Sequence, residues 1–185
     1  DCFMKNAGEF AEYDELYAEL DQHLAKDLAD VEKAADAFGE EFARKHCEDK
    51  LHYFVGAGNQ YGATYSYAMC YWEEQHWIRT KSIHSAEFFH GMLEIVDKNT
   101  PVTVFMGEDS QRRLSERVAA FLPKVCSNYE IIDTKDYPME GISEKFRGHI
   151  SHLIMHAVTN RIDAHIEKIN CHPMSIRRYY RQFDY

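Results

Sequence analysis

The feature that most constrains the fold is a short apolar run that ends in glycines and leads into a helical pattern. Residues 51–58 read L-H-Y-F-V-G-A-G, and residues 60–76 follow with helical spacing. Similar apolar runs return at 102–106 and 129–132, separated by a helical pattern over 110–125. Strands that alternate with helices predict a parallel sheet covered by helices on both faces. The expected fold class is therefore α/β.

Helical patterns also occupy both ends of the chain. Over 9–47, apolar and aromatic residues recur at spacings of three, four or seven, which predicts one long amphipathic helix or two shorter ones. We expect this stripe to pack on the rest of the domain, with an oligomer contact as the alternative. A last long helix is predicted over about 142–170. The predicted division is a helical segment at 1–48, an α/β domain at 49–170 and a tail at 171–185.

The composition excludes several classes of partner. The chain of 185 residues has 21 basic and 31 acidic side chains, and the net charge of −10 argues against nucleic acid or an anionic membrane as partner. No apolar run approaches the roughly 20 residues of a membrane span, and no signal segment opens the chain. The five cysteines are scattered without a C-x-x-C pair, which fits neither a disulfide framework nor a zinc site. We expect a cytoplasmic protein.

The glycine turn at 56–62 is the first candidate for ligand contact. It lies between a strand and a helix, where free N–H groups at the helix N-terminus can bind an anion or a sugar oxygen. Gly56 and Gly58 fit a dinucleotide motif, but the third glycine is displaced by one position and Tyr61 stands in its place. Two interpretations stay open, namely close packing of strand and helix, or substrate contact through Gly58, Asn59 and Gln60.

Residues 72–97 hold the side chains best suited to acid–base chemistry, Glu74 and His90. The position of Glu74 near the end of the first crossover helix does not by itself favour a site, because open α/β sheets bind ligands where such a helix begins. Two groups could be metal ligands, with ordinary polar positions as the alternative: His84, Glu87 and His90, and His149, His152 and His156. We predict neither a metal nor another cofactor.

Three segments together carry a family resemblance. They are G-A-G-N-Q-Y-G from position 56, E-Q-H-W-I-R-T-K-S-I-H-S-A-E-F-F-H-G from 74, and H-P-M-S-I-R-R-Y-Y-R-Q-F-D-Y from 172. With Glu74 sixteen residues before His90 in an E-x-x-H-G context, residues 51–185 resemble the second sugar isomerase (SIS) domain of the family that contains the isomerase half of glucosamine-6-phosphate synthase. Trp77, the segment before His90 and the R-R-Y tail are most similar to the fructosamine-6-phosphate deglycases.

The resemblance implies a fold and a reaction. The fold would be a three-layer αβα sandwich with a flavodoxin-like parallel sheet, preceded by N-terminal helices. Glu74 would be the general base and His90 the ring-opening histidine of a phosphosugar isomerase or deglycase, which would release an amine and glucose 6-phosphate from a phosphorylated sugar amine. A non-catalytic regulatory module that binds a sugar phosphate is the alternative, and a purely structural dimerisation half is the third possibility.

The resemblance also implies partners and further contacts. In the family the histidine usually comes from the neighbouring subunit, so a homodimer or higher oligomer with a shared active site is expected. The tail would reach the site, which makes Arg177, Arg178 and Arg181 candidates for contact with the phosphate or a carboxylate of the substrate, with a solvated basic tail beside an acidic body as the alternative. Tyr71 and Gln182 stand where the synthase branch has lysines, and we take Tyr71 and Arg181 as candidate substrate-binding residues.

One expected element is missing. The family's phosphate loop, rich in Ser and Thr, belongs to the first of two tandem SIS domains, and nothing like S-x-S-G-x-T occurs in this sequence. The chain also begins with Asp1 rather than methionine. We therefore expect it to be the C-terminal half of a longer enzyme, with a free-standing domain that has lost phosphate affinity as the alternative.

Overall fold

A computed structural model describes residues 1–184 and contains one parallel sheet of four strands. The strands are β1 (His52–Gly56), β2 (Thr80–His84), β3 (Val102–Met106) and β4 (Tyr129–Asp133). They lie in the order β2-β1-β3-β4, with parallel pairing throughout. The chain runs from β1 to β2 at one edge and returns to β3 on the other side of β1. The topological switch point, where ligands bind in open α/β sheets, is therefore between β1 and β3.

Five α-helices surround the sheet: α1 (Cys2–Asn6), α2 (Tyr13–His46), α3 (Asn59–Ser66), α4 (Arg112–Phe121) and α5 (Glu144–Asn170). A π-helix at Tyr67–Glu73 continues α3 directly. Short 3₁₀ turns occur at Phe88–His90, Met92–Ile95, Leu122–Lys124 and Thr134–Asp136. Among residues 1–184, no helix is long and apolar enough to cross a membrane.

The two faces of the sheet bury two separate cores. On one face Phe54 and Phe105 pack under α2, α5 and the π-helix, and both are fully buried. On the other face Val55 and Val104 pack under α4 and the 3₁₀ turns. The alternation follows from the period-two geometry of a strand, which sends neighbouring side chains to opposite faces. The predicted three-layer α/β fold is confirmed.

The N-terminal pattern forms one continuous helix rather than two. Helix α2 is 34 residues long and packs along α5. The two helices approach closely at Gly39, where a β-carbon would lie 3.0 Å from the backbone of Arg161. Asp36 of α2 accepts hydrogen bonds from Arg161 and His165 of α5. The stripe therefore packs on the domain, as predicted, while the division at 1–48, 49–170 and 171–185 stays a prediction.

The sequence pattern missed one strand and one helix type. Strand β2 reads T-K-S-I-H, in which only Ile83 is buried, because this strand lies at the edge of the sheet. An edge strand needs no continuous apolar run, so the segment gave no strand signal. The predicted helix over 60–76 is also corrected, since its hydrogen bonding changes from α to π at Tyr67.

Candidate functional site

A π-helix determines where Glu74 lies. Tyr67 and Trp72 are five residues apart and both are buried, although an α-helix would separate them by about 140°. Hydrogen bonds from residue i+5 to residue i bring such positions together. The backbone N–H of Glu74 continues the pattern and donates to the carbonyl of Met69 at 3.0 Å. Burying both aromatics in this way leaves Glu74 at the surface, with its side chain 40% exposed.

A buried polar network fixes the end of the π-helix. One carboxylate oxygen of Asp163 accepts from the Tyr67 hydroxyl at 3.0 Å and lies 3.0 Å from Nε2 of His76. Burial raises the pKa of the Asp163 carboxyl and, together with the Asp163 charge, raises the pKa of Tyr67 well above its usual value. Because His76 is two residues beyond Glu74, this network joins the Glu74 segment to α5.

Glu74 borders a cleft of about 390 Å³, here called the Glu74 cleft, which is lined by Glu73, Glu74 and the ranges 77–79 and 177–180. Arg177 Nε donates to Glu74 Oε1 at 2.8 Å. The adjacent Glu73 is engaged differently, since its Oε1 accepts from the hydroxyl of Thr80 at 2.9 Å. Of the two neighbouring carboxylates, Glu74 is therefore the one that is hydrogen-bonded to the C-terminal segment, which is the part of the chain after α5.

Trp77, three residues after Glu74, has a strained backbone, and its side chain contacts residues of the C-terminal tail. Its φ is +61°, a left-handed conformation that costs a bulky residue about 1–3 kcal/mol. The indole contacts the His172 ring at a centroid distance of 4.2 Å and the Arg178 guanidinium at 4.1 Å. Such contacts explain how the conformation is maintained.

His90 lies in a different cleft. It ends the 3₁₀ turn at Phe88–His90 and is exposed. It borders a cleft of about 400 Å³ lined by the ranges 81–83, 90–92 and Glu87. No residue lines both this cleft and the Glu74 cleft. Within one copy of the chain, the two predicted proton-transfer residues are thus not brought together in one cavity.

Polar groups at the N-terminus of α3 form hydrogen bonds within the protein. The backbone N–H of Asn59 donates to Asp109 Oδ2 at 2.7 Å, and the Asn59 amide donates to the Gly148 carbonyl at 2.7 Å. The other oxygen of Asp109 accepts from the Gln111 N–H. Gly58 has φ +57°, and a β-carbon there would overlap the Asp109 carboxylate. Gln60 is fully buried, and its amide has no hydrogen-bond partner among residues 1–184. Substrate contact by these residues stays a prediction.

Tyr71 and Arg181 also lie outside the Glu74 cleft. Tyr71 and Asn59 share a cleft of about 380 Å³ between α3 and α5, where burial raises the pKa of Tyr71 and lowers that of His152. The Arg181 guanidinium lies 5.1 Å from the centre of the Tyr180 ring. Of the three tail arginines named from the sequence, Arg177 and Arg178 line the Glu74 cleft.

Within residues 1–184, one group of side chains is close enough to hold a metal, namely His46, Asp49 and His52. Nδ1 of each histidine lies 2.8 Å from Asp49 Oδ2. Tetrahedral zinc, with bonds of about 2.0–2.2 Å, separates its ligand atoms by roughly 3.3 Å. The shorter separations fit hydrogen bonds, and His52 Nε2 also lies 2.8 Å from the Thr103 hydroxyl. The group is better explained as a buried polar junction, which sequence reasoning missed.

The comparisons with known proteins cover most of this chain. It is 31% identical over 166 residues to fructosamine deglycase FrlB of Bacillus subtilis (strain 168), which is 90% of this chain and 50% of that protein. It is 27% identical over 128 residues to fructoselysine 6-phosphate deglycase of Escherichia coli (strain K12), covering 69% of this chain and 36% of that protein. The chain therefore spans half or less of these relatives. No protein-family model matches it.

This chain likewise covers about half of the length of solved structures that share its fold. A Bacillus subtilis protein assigned as a phosphosugar isomerase has a TM-score of 0.85 at 30% identity, over 90% of this chain and 51% of that one. A Salmonella typhimurium LT2 protein with the same assignment has a TM-score of 0.91 at 24% identity, over 98% and 56%. The C-terminal domain of glucosamine-fructose-6-phosphate aminotransferase from Francisella tularensis has a TM-score of 0.57 at 16% identity, over 80% and 44%. The last two support the fold alone.

Proposed function

Because this chain belongs to the sugar isomerase (SIS) domain family, we propose that it takes part in a deglycase reaction. That reaction converts a ketosamine 6-phosphate and water into a free amine and glucose 6-phosphate. The names of the two bacterial deglycases support this substrate class. The observation that carries the proposal is the partly exposed carboxylate of Glu74, which the π-helix and the Asp163 network hold at a cleft.

The proposed chemistry needs one base and one water molecule. A ketosamine carries its amine on C1 beside the C2 carbonyl, so Glu74 can remove a proton from C1 while the C2 oxygen gains one, which gives an enaminol. Return of a proton to C2, with loss of the proton on nitrogen, places the double bond between C1 and nitrogen. Water then adds to this imine, the C1–N bond breaks, and the amine leaves with glucose 6-phosphate. General acid–base assistance of this kind is worth about 10²–10⁴ in rate.

We assign His90 to opening of the cyclic sugar, by proton transfer between the ring oxygen and the anomeric hydroxyl. Since His90 and Glu74 line separate clefts in one copy, the proposal requires a second copy to supply His90. The active enzyme would then be a homodimer or higher oligomer with a shared site. All five cysteines are free, which fits our placement of the reaction in the reducing cytoplasm.

The phosphate group of the substrate needs a site other than the start of α3. The Asp109 carboxylate already accepts the first N–H of that helix, and a second anion there would meet like charge. We therefore place phosphate binding on another part of the assembled enzyme, so that this chain contributes the proton-transfer groups.

The test is release of glucose 6-phosphate from a fructosamine 6-phosphate, measured with this chain and with the protein at its full natural length. Turnover that is lost by at least 100-fold in Glu74→Gln would support the proposal. Glu94→Gln is the matched control, because Glu94 is an exposed carboxylate away from the Glu74 cleft. Ligand-dependent stabilisation without turnover at full length would instead favour a non-catalytic sugar-phosphate module.

A further inference from the structure

The contact between Arg177 and Glu74 does more than pair two charges. Arg177 Nε donates to Glu74 Oε1 at 2.8 Å, while its Nη1 donates to the carbonyls of Met174 and Ile176, the latter at 3.0 Å. The guanidinium thus bridges the carboxylate and the backbone of the C-terminal segment. A planar group with several fixed donors can hold such an arrangement, whereas a single ammonium cannot.

Several contacts hold this part of the C-terminal segment against the body of the protein. Helix α5 ends at Cys171 in a left-handed turn with φ +49°. The N–H of Met174 then donates to Glu167 Oε1 at 3.0 Å. His172 and Arg178, on either side of Arg177 in sequence, both contact Trp77. Arg177 is therefore held from both flanks, and its side chain is only 20% exposed.

The two carboxylate oxygens of Glu74 differ in their contacts. The Oε1 atom accepts the bond from Arg177, whereas Oε2 has no hydrogen-bond partner within the described part of the chain, residues 1–184. A carboxylate that removes a proton from carbon needs one unoccupied oxygen at a defined position, since a base acts only within reach of the proton. The side chain of a partly exposed glutamate would otherwise change rotamers freely.

We propose that Arg177 is a positioning residue, which fixes the Glu74 carboxylate so that Oε2 faces the bound substrate in a constant orientation. This inference rests on the proposed function, because it concerns the same proton transfer. Arg177 itself does not exchange a proton with the substrate. Its removal would leave Glu74 present but misplaced, and a displacement of about 1 Å can cost about 100-fold in rate.

The experiment compares Arg177→Met and Arg177→Lys with wild type at full natural length. We expect Arg177→Met to lower kcat about 100-fold while KM changes less than about threefold, because orientation affects the chemical step and not ground-state binding. Arg177→Lys should fall between, since lysine restores one bond to Oε1 without the bonds to the backbone. Incorporation of solvent deuterium into the product in D₂O should slow in parallel. Arg113→Met, an equal charge change at an exposed position on α4, is the control.

Each outcome has one meaning. A wild-type kcat in Arg177→Met would overturn the positioning role, and so would a large rise in KM with kcat unchanged, which would make Arg177 a substrate-binding residue. If Arg177→Met does not fold, the comparison of Arg177→Lys with wild type decides in the same way. Absence of turnover by the wild-type protein would contradict the proposed function instead, so the two failures are distinguishable.

Discussion

At the scale of single residues, Gly58 and Trp77 show two ways of holding a left-handed backbone. Their φ angles are +57° and +61°. Gly58 adopts its angle without steric cost because it has no β-carbon, and the space that a side chain would fill is taken by the Asp109 carboxylate. Trp77 has no such freedom, so contacts from His172 and Arg178 must hold it. A conformation of this kind in a large side chain points to a constrained segment, here the one that follows Glu74.

Alanine at two nearby glycines should have opposite effects. Gly58→Ala should lower the free energy of unfolding by about 1–3 kcal/mol, because of the positive φ and the overlap with Asp109. Gly62→Ala, inside α3 with open space around it, should raise that energy by about 0.5–1 kcal/mol. Chemical denaturation of both variants is the measurement. Equal effects of the same sign would show that the turn at Gly58 is not constrained as described.

At the scale of elements, the carboxylate of Asp163 connects the π-helix to α5 through hydrogen bonds. Its partners are Tyr67 at the start of the π-helix and His76 beyond its end. Removing one partner of a buried polar group costs more than the bond itself contributed, because the remaining groups stay buried and unpaired.

Two substitutions at Asp163 test how much its hydrogen bonds contribute to stability. We expect Asp163→Ala to lower the free energy of unfolding by about 3–5 kcal/mol, since Tyr67 and His76 would both lose their buried acceptor. Asp163→Asn keeps an acceptor oxygen and should cost only about 1 kcal/mol. Thermal unfolding followed by circular dichroism would measure both. An alanine variant as stable as the asparagine variant would refute the anchoring role.

The buried polar junction of His46, Asp49 and His52 makes the free energy of unfolding depend on pH. Burial lowers the pKa of His52 to about 4. At His46 burial opposes protonation, but the hydrogen bond to Asp49 and the negative charge of Glu130, 3.9 Å from Nε2, outweigh it and raise the pKa. The two histidines therefore act in opposite directions: His46 contributes stability below its ordinary pKa that is lost as pH rises, and His52 contributes stability at neutral pH that is lost on acidification.

The His52 effect can be isolated by substitution. Between pH 6.5 and 4.5 the unfolded chain binds a proton at His52 that the folded protein excludes, so wild type should lose roughly 2 kcal/mol more stability over this interval than His52→Asn. Urea denaturation at several pH values gives the two slopes. Parallel curves for wild type and variant would mean that His52 titrates normally in the folded state.

At the scale of the whole molecule, the parts that could be read from the sequence are those where burial leaves a local signature. Strands β1 and β3 are buried at every position and read as apolar runs. The edge strand β2 has no such run, and the change from α to π hydrogen bonding has no compositional signal. Asp109, Asp163 and the partner of Glu74 were not predictable, because their contacts join positions about 50 to 100 residues apart. Glu74 and His90 came from the family resemblance, and their roles stay predictions.

A shared active site has a distinctive test in mixed oligomers. Glu74→Gln and His90→Asn should each be inactive alone, since each lacks one of the two proton-transfer groups. If a site combines Glu74 of one copy with His90 of another, unfolding and refolding the two variants together should restore about one quarter of wild-type activity in a random dimer. Activity that stays absent in verified mixed dimers would place both residues in one copy.

The first N–H of α3 has one further consequence for the protein. A helix start beside a switch point is an attractive position for a diffusible anion, yet here the anion is covalently part of the chain, supplied by Asp109 from the loop after β3. A tethered group of this kind is present at every moment and cannot be diluted, so a free phosphate would have to expel it. The protein thus carries a permanent anionic group at the first N–H of α3, and this one position acts as a structural joint between α3 and the loop after β3.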